Sequence, residues 1–429
     1  MGKYTDVQFV GYAIDSAPAI SNVVGSVGGF VEGRYVGLEP ATRDIDARIA
    51  LIMTAVDQTV ASGFVDASPS TLKIFVMPEF LLRGPSGAYD DDPPALDYFA
   101  YFRARLAMRV CDSKYEDWLF VVGTLVSTVG YVRGCDPVID EKVLLREALA
   151  SALAAAWQFA TAHNDNNFAS TVWNMLTEYM GYFHAHPMFT VTDRCYVVAG
   201  GAPDADYPEG LSIQKEYQSN EDFVLNINPM AFGQEEITYP PIPENNGEDK
   251  HHAFDPYSIF TIKGIRFGVE ICLDHFLGRL RNNRRPDSEL VQIQLVPSCG
   301  VQLVQQSIIA GPHGFAFNCD GEYGGFMSGS TPDLSDSLWT SSANGDAHTQ
   351  LTQVTTPCGS GTGAPNASLT APDASITIVT IDDAKASEIF ASGAGEVHVY
   401  TSLPVPPPVA RLTPDAVLLA AEVNPCGKR

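Results

Sequence analysis

The sequence predicts an α/β layered domain, and three adjoining stretches carry that expectation. LKIFVMPEF (72–80) is an apolar run of strand length that breaks at Pro78 and Glu79. YFAYFRARLAMRV (98–110) spaces its apolar residues as a helix does, and DWLFVVGTLVST (117–128) is a second buried strand. Strand, helix and strand in that order signal helices layered against a sheet.

The remaining elements follow from the same patterns. VQFVGYAI (7–14) reads as a strand, and the Gly-rich GSVGGFVEG after it as a loop. Residues 41–64 carry Ile45, Ile49, Ile52 and Val56 on one helical stripe. A loop rich in Gly, Pro and Asp (84–94) precedes the second helix. The Ala-rich 146–163 predicts another helix, while TVWNMLTEYMGY (171–182) and DRCYVVAG (193–200) predict strands. SIFTIKGIRFGVEICLD (258–274) predicts a hairpin turning at Lys263-Gly264. LVQIQLVPSCG, HGFAFNCDG, ASITIVTID and EVHVYTSL are further strand candidates. Residues 216–254 have many breakers and no period, so they read as a long excursion. LPVPPPVARLTP cannot be a central strand or a helix, because proline lacks the N–H that both need. The chain is therefore expected to be one domain over 1–400, with a Pro-rich tail over 401–429.

Composition excludes several functions. The 51 acidic residues against 26 Lys plus Arg give a formal charge of -25. No positive footprint is left to meet nucleic-acid phosphates. The eight cysteines form no CxxC pair and no zinc-like spacing, which points to reduced thiols in a cytoplasmic setting. No apolar stretch is long enough to cross a membrane, and the first residues lack the pattern of a secretory signal.

Candidate chemistry lies at strand ends. Cys272, in FGVEICLDHF, stands where an apolar strand gives way to polar residues; it reads as a nucleophile or as a small buried hydrophobe. Glu79, at the end of the apolar run in KIFVMPEF, is either a base for such a thiol or an edge residue. Lys215, in LSIQKEYQSN, either favours a thiolate or solvates the surface. His184 and His186 can share a strand face but have no third ligand at a convincing spacing. Arg279, Arg281, Arg284 and Arg285 form a basic cluster that suits a substrate carboxylate, a helix face or a subunit contact. His275 has no evident role.

The surroundings of Glu79 and Cys272 resemble the nitrilase, or carbon–nitrogen hydrolase, superfamily. FVMPEFLLRGPSGAY matches its strand-end Pro-Glu, and GVEICLDH its Gly-x-x-Ile-Cys-x-Asp. SIQKEYQS keeps the lysine of its Tyr-Arg-Lys-x-His-Leu segment but neither the arginine nor the histidine. Lesser matches are VVGTLV, TVWNMLTEYMG with Asn174, IQLVPSCG with Pro297 and Ser298, and CDGEYGGFMSGS with Gly329 and Ser330. Together they span about residues 7 to 335.

The resemblance implies a four-layer αββα sandwich assembled as a homodimer or larger homo-oligomer. It also implies a Glu79, Lys215, Cys272 triad acting on a small molecule without a cofactor or metal. Lys215 and the Leu273 N–H would hold the oxyanion. A second glutamate is expected in the excursion, where Glu235, Glu236 and Glu244 are eligible and Glu236 is preferred. Cys-Leu-Asp at the nucleophile looks like the amidase and carbamoylase branches, whereas nitrile-acting members carry Cys-Trp-Glu. Hydrolysis of an amide or N-carbamoyl bond is the leading expectation. Acyl transfer to an amine, nitrile hydrolysis and a catalytically silent binding or assembly role are its rivals.

Overall fold

The computed structural model describes residues 3–17, 19–24, 30–85, 87–91, 96–130, 189–217, 237–238, 258–283, 290–322, 336–359 and 365–409, with a few positions between 155 and 172. From the N-terminus run β1 (Asp6–Ala13), β2 (Ala19–Val24), β3 (Phe30–Arg34), α1 (Ala41–Ala61), β4 (Thr71–Val76) and β5 (Tyr89–Asp91). Next come α2 (Tyr98–Val110), β6 (Trp118–Gly130), β7 (Phe189–Ala199), β8 (Leu211–Gln214) and β9 (Ile237–Thr238). The second half holds β10 (Ile259–Ile262), β11 (Ile265–Val269), α3 (Leu273–Phe276), α4 (Arg279–Asn283), β12 (Val291–Ser298) and β13 (Ala310–Asp320). It closes with β14 (Leu338–Ser341), β15 (His348–Thr356), β16 (Ser368–Thr370), β17 (Ile376–Thr380), β18 (Glu396–Tyr400) and β19 (Leu403–Pro404).

These elements form two large mixed sheets and a separate two-stranded pair, β2-β3. The first is ordered β17-β18-β1-β4-β6-β7-β8, and the second β10-β11-β12-β13-β15-β14. Parallel pairing links β1 to β4 and β4 to β6, with α1 and α2 as the crossovers. In the second sheet β11, β12 and β13 are parallel.

Strand alternation sends every other side chain to the opposite face, and both faces of the first sheet are apolar. Val10, Tyr12, Phe75, Phe120 and Val122 meet Ile45, Ile49 and Ile52 of α1 and Phe102 and Leu106 of α2. The intervening residues Val7, Phe9, Leu72, Ile74, Leu119 and Val121 face Val269, Ile293, Leu295 and Phe317 of the second sheet. Phe9 packs on Phe315 and Phe317 at ring-centroid distances of 5.5 and 5.1 Å. Leu280 of α4 joins Val291, Ala316 and Val354 on the far face of the second sheet. The layers are therefore helices, sheet, sheet and short helices, the αββα sandwich expected. No described helix is long and apolar enough to cross a membrane.

Three local expectations need correction. The loop expected after β1 holds β3, which pairs with β2 through Val23 opposite Val31; strand formers there outweigh the glycines. Thr171 and Val172, expected to begin a strand, are helical, since β propensity is weak against tertiary context. The segment β14 to β16 was not anticipated. HTQLTQVTT is buried over most of its length but is rich in Thr and Gln rather than apolar residues. Its polar groups are matched internally, as where Thr349 Oγ1 hydrogen-bonds both His398 and Tyr400. At the Pro-rich end, β19 pairs with only the first two residues of β1. Leu403 is buried there in the inter-sheet core.

Candidate active site

The strands that carry the candidate residues finish at one end of the sandwich. β4 runs into Met77, Pro78 and Glu79, β8 into Lys215, β11 into Cys272, and β12 into Cys299. Backbone bonds lock these ends together. The Glu79 N–H donates to Ser298 O at 3.2 Å, Cys272 N–H to Pro297 O at 2.9 Å, and Lys215 N–H to Asp193 O at 2.9 Å. Carboxyl ends of parallel strands are where layered α/β folds place ligand sites.

Glu79 sits on a turn that its neighbours impose. Phe80, immediately after it, takes φ 62°, in a region that non-glycine residues rarely adopt. Its N–H is held by Thr124 Oγ1 at 2.9 Å, and the Glu79 carbonyl accepts from Ser16 Oγ at 2.5 Å. Gly123 makes the close approach possible, since a Cβ there would lie 1.5 Å from Pro78 O.

Lys215 is in phase with the inward positions of β8. Leu211 and Ile213 enter the inter-sheet core, and the next residue of the same parity is Lys215. Its Nζ lies 2.7 Å from Glu79 Oε1, with both side chains fully buried. The same ammonium stands 5.5 Å from the centroid of the Phe80 ring. Glu79 Oε2 accepts from the Cys299 N–H at 3.1 Å.

Cys272 occupies a strained strand-to-helix turn with φ 46° and ψ -107°, between β11 and α3. Its side chain is only 3% exposed. The thiol donates to the Cys299 carbonyl at 3.5 Å, and the Glu79 carboxyl is within reach to accept from it as well. Burial pushes the thiol well above its ordinary value, the Glu79 charge adds to this, and Lys215 pulls the other way. The group at rest is a neutral thiol beside a carboxylate. Leu273 opens α3, so its N–H is among those without an intrahelical acceptor.

The structure thus brings Glu79, Lys215, Cys272 and Leu273 together. Glu236, Glu235, Glu244, Asn174, His184, His186, Arg284, Arg285, Gly329 and Ser330 lie outside the described residues. Arg279 is buried against Glu216 and Asp274 rather than presented on an open helix face. Arg281 donates to Gln306 O and to Asn366 Oδ1. His275 gains a place: Val304 N–H donates to its Nε2 at 2.9 Å, so Nδ1 carries the proton and donates to Glu270 at 2.7 Å. Among the described residues no group of three His, Cys, Asp or Glu is arranged to hold a metal ion.

Sequence reasoning did not single out Cys299, Phe80, Thr124 or Ser16. The Cys299 contacts run through its backbone, so its side-chain identity gave no warning. For Phe80 the signal was available, since a chain leaving Pro-Glu must turn sharply.

No family model matches the chain, and no curated protein matches it. Solved structures do. A cysteine-to-serine mutant of Nesterenkonia AN1 amidase from the nitrilase superfamily is similar at 10% identity. The match covers 74% of this chain and 77% of that one, with a TM-score of 0.29. The cysteine-to-alanine mutant of the same amidase is similar at 8% identity, over 75% of this chain and 77% of that one, with a TM-score of 0.26. Overlap at this level says nothing of individual residues.

Proposed function

We propose that this protein is a thiol-dependent hydrolase of non-peptide carbon–nitrogen bonds, acting on a small amide or N-carbamoyl compound. The observation that carries the reading is Cys272 on a strained strand-to-helix turn, with a buried Glu79–Lys215 ion pair against its thiol. Such turns lift a nucleophile clear of the sheet, and strain of this kind costs about 1–3 kcal/mol. A buried structural cysteine needs neither the turn nor the charges.

In the proposed reaction Glu79 takes the thiol proton as the sulfur attacks the carbonyl carbon. Lys215 and the Leu273 N–H hold the oxyanion as it forms. The carbon–nitrogen bond breaks, the leaving amine takes the proton from Glu79, and a thioester remains on Cys272. Glu79 then removes a proton from water, which attacks the thioester; the carbon–sulfur bond breaks, the acid leaves, and Glu79 returns the proton to the Cys272 sulfur. Glu236 is the candidate for a second carboxylate supporting Lys215, and the working unit is proposed to be a homo-oligomer.

A panel of amides, N-carbamoyl compounds and nitriles, scored by ammonia or amine release, tests the assignment. Turnover of an amide or N-carbamoyl compound, lost in Cys272→Ala, is expected. Turnover of nitriles alone, or activity that survives in Cys272→Ala, would sink it. Running the same panel with added amine separates hydrolysis from acyl transfer by the product formed.

A further inference from the structure

Resting on that reading of Cys272, Glu79 and Lys215, we infer that Asp274 and Arg279 are positioning residues that clamp Lys215 against the nucleophile. Lys215 lies one residue past β8, whose last pair with β7 is Gln214 opposite Arg194, and its own N–H still donates to Asp193 O of β7 at 2.9 Å. The backbone on both sides of the lysine is also bonded to the two short helices that follow Cys272. Asp274 Oδ1 accepts the N–H of Glu216 at 3.0 Å and that of Tyr217 at 2.8 Å, and Oδ2 lies 3.1 Å from the Glu216 nitrogen. Arg279 Nε donates to Glu216 Oε2 at 2.7 Å. Its Nη1 lies 3.3 Å from Gln214 O, 3.2 Å from Ser258 Oγ and 3.4 Å from Asp274 Oδ2. The residues before and after Lys215 are therefore fixed to the same short segment that carries Cys272.

The burial of these groups argues for geometry rather than stability. Asp274 is fully buried and Arg279 nearly so. Buried ion pairs rarely out-stabilise apolar residues of the same volume, because desolvation cancels their attraction. What apolar replacements cannot supply is direction. The planar guanidinium reaches several fixed acceptors at once, which a lysine ammonium on a flexible stem cannot reproduce. Nor is the clamp remote from the chemistry in electrostatic terms, since the Lys215 charge acts on Asp274 alongside that of Arg279. A shift of Lys215 would weaken its attraction for the sulfur as a thiolate forms, and that attraction falls with distance.

Alkylation of Cys272 by iodoacetamide tests this without a known substrate. The sulfur forms a bond to the methylene carbon, the carbon–iodine bond breaks, iodide leaves, and the thiol proton passes to Glu79 or solvent. Rates at Cys272 are read by peptide mass from about pH 6 to about pH 9, with exposed Cys111 as the reference in each sample. Thermal melts confirm that each variant is folded. Arg279→Lys and Asp274→Ala are expected to slow Cys272 relative to Cys111 by about tenfold and to move the rate profile to higher pH. Asp274→Asn keeps an acceptor oxygen for the Glu216 and Tyr217 amides and should recover most of the rate. Glu216→Gln, a milder change on a partly exposed side chain, should slow it by about threefold and serves if Asp274→Ala fails to fold. Folded Arg279→Lys and Glu216→Gln proteins with the rate and profile of the parent would overturn the clamp alone. A parent Cys272 as silent as buried Cys195 would overturn the nucleophile reading, and the clamp with it.

Discussion

Cys272, Glu79 and Lys215 are each unusual by ordinary rules: a backbone angle that a β-carbon resists, and two opposite charges removed from water. Local sequence left each open to a plain structural reading, because burial, pairing and φ are properties of the folded chain. The phase of Lys215 with Leu211 and Ile213 was the one residue-scale sign in the sequence that it points inward. Asp274 offers a test at the same scale. Burial pushes it up from 3.8 to about 7, against the pull of Arg279. Between those values the folded chain holds a proton that the unfolded chain has lost. Stability from this group is therefore present in full below about pH 4 and is lost as pH rises through about 7. Asp274→Asn, neutral throughout, is predicted to flatten that slope by up to about 4 kcal/mol across the window. Urea melts of both proteins at a series of pH values measure it, and identical slopes would contradict the assignment.

Among the elements, the strand ends matter more than the strands. The apolar runs that became β1, β4 and β6 were legible because both faces of those strands meet apolar layers, and those of β11, β12 and β13 because their inner faces enter the inter-sheet core. By contrast β15 was not, since its buried Thr and Gln side chains find partners elsewhere in the fold, such as His398, Tyr400, Ser337 and Asp336, and present no apolar period. The clamp on Lys215 was hidden for another reason: it joins residues far apart in the chain, and periodicity reports only on near neighbours. How β6 passes the Glu79 turn is equally long-range. Gly123→Ala would place a Cβ against Pro78 O, so it should cost about 3 kcal/mol or more, at or above the usual range for overpacking. Gly63→Ala has open space around it and φ 78°, so it should cost only about 1–2 kcal/mol. Denaturant titrations of the two variants compare them. Equal losses would mean that the close approach of β6 does not hold the Glu79 turn.

For the whole molecule, the sandwich follows from two apolar sheet faces that must be covered and a short-helix layer beyond the second sheet. Charge acts at this scale as well. A formal -25 carried by one chain repels itself. Raising salt from about 10 mM to about 150 mM, which shortens the screening length to about 8 Å, should therefore raise the melting temperature. A fall would mean that attractive surface pairs such as Lys3–Asp117 outweigh the repulsion. Fold class was legible from the alternation of strand and helix, whereas the four layers came from resemblance. The chemistry depends on whether these layers bring one thiol to a carbonyl, and intact mass reads that directly. Acid-quenched turnover of the best amide or N-carbamoyl compound should show the acyl group added once per chain, mapped to Cys272 and missing in Cys272→Ala. Steady turnover with no adduct at Cys272, or an adduct that persists in Cys272→Ala, would contradict the account.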